Sequence, residues 1–182
     1  MHRIGVIVGS LRKDSINLKL AKALGKLAKE KMDFNIIDLH DVPLYNEDLW
    51  EKPPESILKM KKDIELSDAI LFVTPEYNRS FSPVVKNAID WGTRPYGQNS
   101  WKDKPAAIIG ASPGAIGTAA AQSHLRSIVP ILEMPLMSQP EMYLAYKEGM
   151  VDDQDNIPDP KTKEFLEKFL SRFDNWINKF SK

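Results

Sequence analysis

Short apolar stretches alternate along the chain with longer stretches in which apolar side chains recur every three or four residues. The short stretches are rich in β-branched residues and predict buried strands, whereas the periodic stretches predict amphipathic helices. The predicted strands cover residues 4–8, 34–39, 69–74 and 106–111, and a weaker pattern predicts a fifth strand over residues 134–137.

Helical spacing follows most of these strands. Helices are predicted to begin near residue 15 and after the two prolines at 53 and 54, and to cover residues 83–91 and 117–128. The C-terminal segment has the clearest helical period of the chain and predicts one aromatic stripe facing the core. The side chains of this stripe are Phe165, Phe169, Phe173, Trp176, Ile177 and Phe180.

Strands that alternate with helices predict a parallel sheet covered on both faces by right-handed crossovers. In such sheets, ligands bind beyond the carboxyl ends of the strands, where the strand order reverses. We therefore expect a shared site for loop one (residues 9–17), loop two (74–80) and loop three (110–117), which follow strands one, three and four. The length predicts a single domain over residues 1–182.

The composition of the chain excludes or disfavours several kinds of partner and of catalytic chemistry. The 25 basic and 25 acidic side chains cancel, which disfavours nucleic acid as a partner. The absence of cysteine excludes thiolate catalysis, Cys-ligated zinc and iron–sulfur clusters, so redox chemistry would require a bound cofactor. The chain has no continuous stretch of about 18 apolar residues, so the sequence predicts no membrane-spanning helix. The N-terminus has no signal-peptide pattern, and we expect a cytoplasmic protein.

Loop one has the character of a phosphate site. Gly9 allows a tight exit from the strand, and Ser10, Ser15 and Asn17 place short polar groups beside the first N–H groups of the next helix. Arg12 adds a planar cation that suits a terminal phosphate monoester and thus a mononucleotide. The alternative is that Ser15 only caps the helix and Arg12 is solvated. The later glycines of a Rossmann fingerprint and the Gly-Lys-Ser/Thr of a Walker A motif are missing.

Loop two is a polar stretch directly after a buried strand. With Pro75 inside it and Pro83 just beyond, it is predicted to be rigid and to present backbone N–H and C=O groups to a planar heterocycle. The ring of Tyr77 could cover a flavin or a nicotinamide by stacking, and an ordinary packing role is equally open.

Loop three contains G-x-S-x-G at residues 110–114, the nucleophile-elbow pattern of α/β-hydrolases. We reject that interpretation because Pro113, the residue after the serine, has no N–H for an oxyanion hole. The only later histidine, His124, is one short helix away, and no second histidine lies at metal-ligand spacing. The small residues of loop three instead favour close approach of the backbone to a flat ring.

Together these motifs resemble the NADPH-dependent FMN reductase family, in particular its quinone- and chromate-reductase-like branch. The resemblance covers residues 4–128. The motifs that carry it are Gly9-Ser10-Leu11-Arg12 with Ser15 and Asn17, Thr74-Pro75-Glu76-Tyr77-Asn78, Lys86-Asn87-Ala88-Ile89-Asp90-Trp91, and Ser112-Pro113-Gly114 with Gly117.

The resemblance implies a flavodoxin-like α/β three-layer sandwich with five parallel strands in the order 2-1-3-4-5. It also implies an FMN phosphate in loop one and the isoalloxazine ring between loops two and three, with no catalytic side chain and no metal. The implied cofactor contacts are Ser10, Arg12, Ser15, Asn17, Leu18, Pro75, Glu76, Tyr77, Asn78, Ser112, Pro113, Gly114 and Gly117. The implied substrate contacts are Tyr77, Arg79 and Ser80.

The activity implied by the family is a ping-pong reaction in which NADPH or NADH reduces FMN and leaves before a quinone, free flavin, azo compound or chromate accepts the electrons. The family also implies a homodimer or homotetramer with residues 86–91 near the partner chain. Two alternatives remain: a flavodoxin-like electron carrier, which zero net charge disfavours, and a nucleotide-binding module without turnover. The nucleotide preference and the acceptor stay open.

Overall fold

The computed structural model describes residues 1–181, and its centre is a five-stranded sheet. The strands are β1 (His2–Val8), β2 (Met32–Ile36), β3 (Ala69–Val73), β4 (Ala106–Ser112) and β5 (Tyr143–Ala145). They lie in the order β2-β1-β3-β4-β5, and every neighbouring pair is parallel. This confirms the predicted sheet and its strand order.

Helices cover both faces of the sheet. They are α1 (Ile16–Ala28), α2 (Glu55–Glu65), α3 (Pro83–Gly92), α4 (Ala119–Ile128) and α5 (Pro160–Asn178), with short 3₁₀ helices at Glu47–Glu51 and Val129–Leu132. One apolar core lies between the sheet and α1 with α5, and the other lies between the sheet and α2, α3 and α4. The three-layer arrangement is the expected one. No helix in residues 1–181 is long and apolar enough to cross a membrane.

The predicted position of the fifth strand was wrong. Residues 135–137 do run beside the start of β4, where Ala106 N–H donates to Pro135 O at 2.9 Å and accepts at its carbonyl from Met137 N–H at 2.8 Å. This contact is a single bridge, and the chain then turns away before returning as β5 to pair with Gly110–Ser112. An apolar stretch indicates that its residues are buried but does not show whether they pair with a strand. In addition, the prolines at 135 and 140 have no N–H group to donate to a neighbouring strand.

The aromatic stripe of α5 was predicted correctly only in its centre. Phe169, Phe173 and Ile177 are buried, whereas Phe165 is 46% and Phe180 is 43% exposed. Successive residues are about 100° apart around a helix, so Phe165 lies at the edge of the stripe and the buried face includes leucines in its place. Phe180 lies beyond the last residue of the helix.

Close approach of strand ends places the three loops at one edge of the sheet. Gly9 N–H donates to Val73 O at 2.9 Å, and Thr74 N–H donates to Ile109 O at 3.0 Å. A methyl group on Gly110 would lie 2.1 Å from the carbonyl oxygen of Thr74. Only glycine therefore fits at position 110, and the loops after β1, β3 and β4 leave the sheet side by side.

Candidate functional site

A buried amide side chain joins loop one to loop three. Asn17 is 1% exposed. Its Nδ2 donates to Ala111 O and its Oδ1 accepts from Ala111 N–H, both at 2.9 Å. The amide of Asn17 thus bonds both the N–H and the C=O of Ala111, as a residue of a neighbouring strand would. The side chain therefore holds the first turn of α1 against the end of β4. Its predicted contact with the cofactor stays a prediction.

The start of α1 leaves several backbone donors available. Ser15 is the N-cap and accepts from Leu18 N–H at 3.2 Å, as the capping alternative predicted. Other N–H groups of this segment have no acceptor within residues 1–181, and the N-terminus of a helix favours a negative charge. These donors belong to Leu11, Lys13, Asp14, Ile16 and Asn17. The geometry fits an anion such as a phosphate.

Arg12 is the cation of this segment. Its side chain is exposed, and it forms no ion pair with any acid of the described chain. The Oγ of Ser10 lies 3.5 Å from the backbone nitrogen of Arg12. The guanidinium donors thus remain available beside the unpaired N–H groups of loop one.

Loop two forms a tight hairpin that the sequence analysis did not predict. Tyr77 N–H donates to Ser80 O at 2.9 Å, and Ser80 N–H donates to Tyr77 O at 3.0 Å. Between them Asn78 and Arg79 have φ values of 50° and 63°, as in a type I′ turn. Asparagine tolerates this left-handed region and was the available signal for the turn. The tight turn makes loop two a fixed structure.

The ring of Tyr77 extends from this hairpin toward loop one. It is 42% exposed, and its hydroxyl lies 3.5 Å from the Oγ of Ser10. The N–H groups of Glu76 and Asn78 have no acceptor among the first 181 residues. Loop two therefore offers an exposed aromatic ring that reaches loop one, together with two unpaired backbone donors.

The carboxylate of Glu76 has protein partners of its own. Its side chain is 7% exposed. One oxygen accepts from the N–H groups of Ala120 and Ala121 at 3.0 and 3.2 Å, and the other lies 3.2 Å from Nη1 of Arg79. A contact between Glu76 and a cofactor would accordingly use its backbone.

Loop three is exposed from Pro113 to Ile116, and Gly114 and Ala115 give its centre little side-chain bulk. A methyl group on Gly114 would meet nothing closer than Ser112 Oγ at 3.7 Å, so the protein itself leaves space there. Gly117 has a φ of 60° and packs against the backbone of β5, where a methyl group would lie 2.7 Å from Leu144 N. The bare backbone around Gly114 suits contact with a flat ring.

Ser112 is not arranged as a hydrolase nucleophile. Its hydroxyl donates to the carbonyl oxygen of Gly117. The Nδ1 of His124 instead lies 3.1 Å from the Oγ of Ser80 in loop two. This contact was not predicted from the sequence, although His124 was rejected there as a metal ligand and as a triad member. Residues 1–181 contain no cluster of three His, Cys, Asp or Glu side chains placed to hold a metal ion.

The predicted substrate residues all belong to the hairpin of loop two. Arg79 stands at the tip of the hairpin with its side chain 75% exposed. Ser80 is half-buried beside His124, and Tyr77 faces loop one. The three loops are thus in mutual contact and combine anion donors, a cation and an exposed aromatic ring. This combination fits a phosphate-bearing planar heterocycle.

Comparison with known proteins agrees with this site. The chain matches the sequence model of NADPH-dependent FMN reductases over residues 2–149. It is 47% identical over 175 residues to a 2-hydroxy-1,4-benzoquinone reductase of a Burkholderia species, covering 96% of each chain. It is 46% identical over 178 residues to a quinone reductase of Pseudomonas putida, covering 97% of this chain and 95% of that one.

A solved structure shows that the fold is also shared with a flavoenzyme. FerB, a flavoenzyme NAD(P)H:(acceptor) oxidoreductase from Paracoccus denitrificans, is 49% identical and superposes with a TM-score of 0.96, with 99% of each chain covered. These similarities confirm the resemblance on which the expected flavin site rested. The chain belongs to the NADPH-dependent FMN reductase family, a family of oxidoreductases.

Proposed function

We propose that this chain is an FMN-dependent NAD(P)H oxidoreductase that reduces quinones, and that its 182 residues form one FMN-binding domain. The observation that carries the proposal is the convergence of three loops on one edge of the sheet, with unpaired N–H groups and Arg12 on one side and Tyr77 on the other. The relatives named as quinone reductases support the choice of acceptor class.

The protein contributes binding and orientation. Bound FMN supplies hydride transfer from the nicotinamide at its N5 and delivery of the electron pair to the acceptor. Arg12 and the donors of loop one would hold the phosphate, and the N–H groups of Glu76 and Asn78 would bind the edge of the ring. Tyr77 would lie against the ring or the nicotinamide. No side-chain base is required for this division of roles.

Membership of the family favours a ping-pong order for this reaction. Donor and acceptor would use the same face of the flavin, so NADH or NADPH would leave before a quinone enters. Free flavin, azo compounds and chromate are further acceptors that such an exposed site would admit. Initial rates should be measured against nucleotide concentration at several fixed acceptor concentrations. Their double-reciprocal plots should give parallel lines, and intersecting lines would contradict the ping-pong order.

A direct assay tests the proposed function. Purified protein supplied with FMN should keep the yellow flavin absorbance after desalting and should oxidise NADH or NADPH when a quinone is added. Absence of both would overturn the proposal. A flavodoxin-like carrier would keep the flavin but would not oxidise the nucleotide directly, and a module without turnover would behave likewise. The same panel, run with both nucleotides and each acceptor, measures the preferences.

We also propose a homodimer or homotetramer in the cytoplasm, where reduced nicotinamide nucleotides are available. Support for an interface comes from a groove beside α3 that includes Lys86 and Asp90. It is bordered by Tyr96 and Ile131, which are 93% and 81% exposed. Large apolar side chains this exposed on neighbouring elements favour a protein interface. Sedimentation of the purified protein measures the oligomeric state.

A substitution in loop three tests where the ring lies. Gly114→Ala should leave the fold unchanged, because the added methyl group meets only Ser112 Oγ at 3.7 Å. If the ring packs on this backbone, the methyl group should cost about 1–3 kcal/mol of binding, or roughly a 5- to 150-fold rise in the Kd for FMN. Fluorescence titration of the flavin-free protein measures the Kd. An unchanged Kd in a folded variant would place the ring elsewhere.

A further inference from the structure

We propose that Glu76 is a positioning residue: its carboxylate caps α4 and thereby locks the hairpin of loop two to the segment that follows loop three. The inference rests on the proposed function only where it concerns FMN, since the lock itself is a property of the protein.

The N-terminus of α4 has no cap of its own. The side chain of its N-cap residue, Thr118, accepts no hydrogen bond from the backbone N–H groups of the first turn. The hydroxyl of Thr118 instead accepts from Nε2 of Gln122 at 2.9 Å. A helix start without a local cap leaves N–H groups that need an acceptor from elsewhere. In this protein the acceptor comes from loop two.

Glu76 supplies that acceptor in a nearly closed site. One carboxylate oxygen accepts from Ala120 N–H at 3.0 Å and Ala121 N–H at 3.2 Å. The side chain is only 7% exposed. A carboxylate at a helix N-terminus is favoured both by charge-assisted hydrogen bonds and by the helix dipole. These bonds join residues 44 and 45 positions apart in the chain.

A second contact lies on the other side of the hairpin. Ser80 closes the hairpin by its two backbone bonds to Tyr77. Its hydroxyl lies 3.1 Å from Nδ1 of His124, in the second turn of α4. The hairpin is therefore attached to α4 before and after its turn. The N–H of Asn78, which has no acceptor in residues 1–181, and the ring of Tyr77, whose hydroxyl lies near Ser10, are placed between these attachments.

The lock explains why an acidic residue occurs in a loop proposed to bind an anionic cofactor. The carboxylate is held by α4, while the backbone N–H of the same residue has no acceptor in the described structure. Glu76 thus orients donors without offering its charge to the ligand. Loss of the carboxylate should loosen the hairpin and the first turn of α4 together.

Hydrogen exchange in the flavin-free protein tests the lock directly. Glu76→Ala should raise the exchange rates of the amides of Tyr77, Ser80, Ala120 and Ala121 by roughly 10-fold or more, since charged hydrogen bonds are lost. It should also raise the Kd for FMN by roughly 10-fold or more through the misplaced loop. Glu76→Gln, which keeps an acceptor oxygen but not the charge, should have smaller effects of the same sign.

Arg79→Ala is the matched control. Arg79 contacts the same carboxylate from an exposed position, and such ion pairs contribute little. Its removal should change the exchange rates by less than about twofold. If Glu76→Ala does not fold, the comparison of Glu76→Gln with Arg79→Ala still tests the lock. Only Glu76→Gln should then raise the exchange rates clearly.

Unchanged exchange in both Glu76 variants would overturn the inference. If FMN binding were weaker in those variants all the same, the carboxylate would be a direct ligand of the flavin. Failure of the wild-type protein to bind FMN would instead count against the proposed function, because the exchange measurement uses no flavin.

Discussion

Replacing Arg12 by alanine should weaken FMN binding by about 1.5–3 kcal/mol for each charged hydrogen bond that is lost, or roughly a 10- to 150-fold rise in Kd per bond. The reason is that the guanidinium is exposed, has no acidic partner in the described chain and stands beside the unpaired N–H groups of loop one. Titration of the flavin-free protein with FMN measures the loss.

Two further variants separate the contribution of the planar guanidinium from that of its positive charge. Arg12→Lys keeps the positive charge but cannot bind a phosphate with two parallel donors, so it should fall between the wild type and Arg12→Ala. Lys13→Ala removes another exposed cation from the neighbouring position and should have a small effect. Equal Kd values for the wild type and Arg12→Ala would place the phosphate away from loop one.

Replacing Phe173 by alanine should lower the free energy of unfolding by about 3–5 kcal/mol. Phe173 is fully buried, and its ring stacks on Phe169 with centroids 6.5 Å apart. Truncation would therefore leave a cavity between α5 and the sheet. Urea denaturation of the flavin-free protein measures the change without the stabilisation that a bound ligand adds.

The control for this prediction lies on the same helix. Phe165 belongs to the same sequence pattern but is 46% exposed, and Phe165→Ala should cost less than about 1 kcal/mol. A comparable loss at both positions would mean that the two rings are buried alike, in conflict with the structure.

The sequence predicted much of the fold because burial leaves a direct trace in it. Apolar stretches identified the first four strands, and helical spacing identified the helices between them. Loop composition identified the edge of the sheet at which polar groups meet. The strand order and the flavin, in contrast, came from resemblance to a known family and not from any pattern of apolar residues.

Long-range hydrogen bonds were beyond the reach of the sequence. The amide of Asn17 pairs with Ala111, 94 positions later, and the carboxylate of Glu76 caps α4. Neither partner was predicted, and the cofactor contacts expected of the two residues stay predictions. A polar side chain has the same donors and acceptors wherever it lies, so its partner depends on which distant segment the fold brings within about 3 Å.

By itself, then, the sequence determined where the first four strands and the helices form and which three loops contain the polar groups, since hydrophobic periodicity and turn residues are local properties. The tertiary structure alone decided the position of β5, the hairpin of loop two and the partner of each polar side chain. The physical reason is that burial is recorded in residue type, whereas hydrogen-bond geometry arises only when separate parts of the chain pack together.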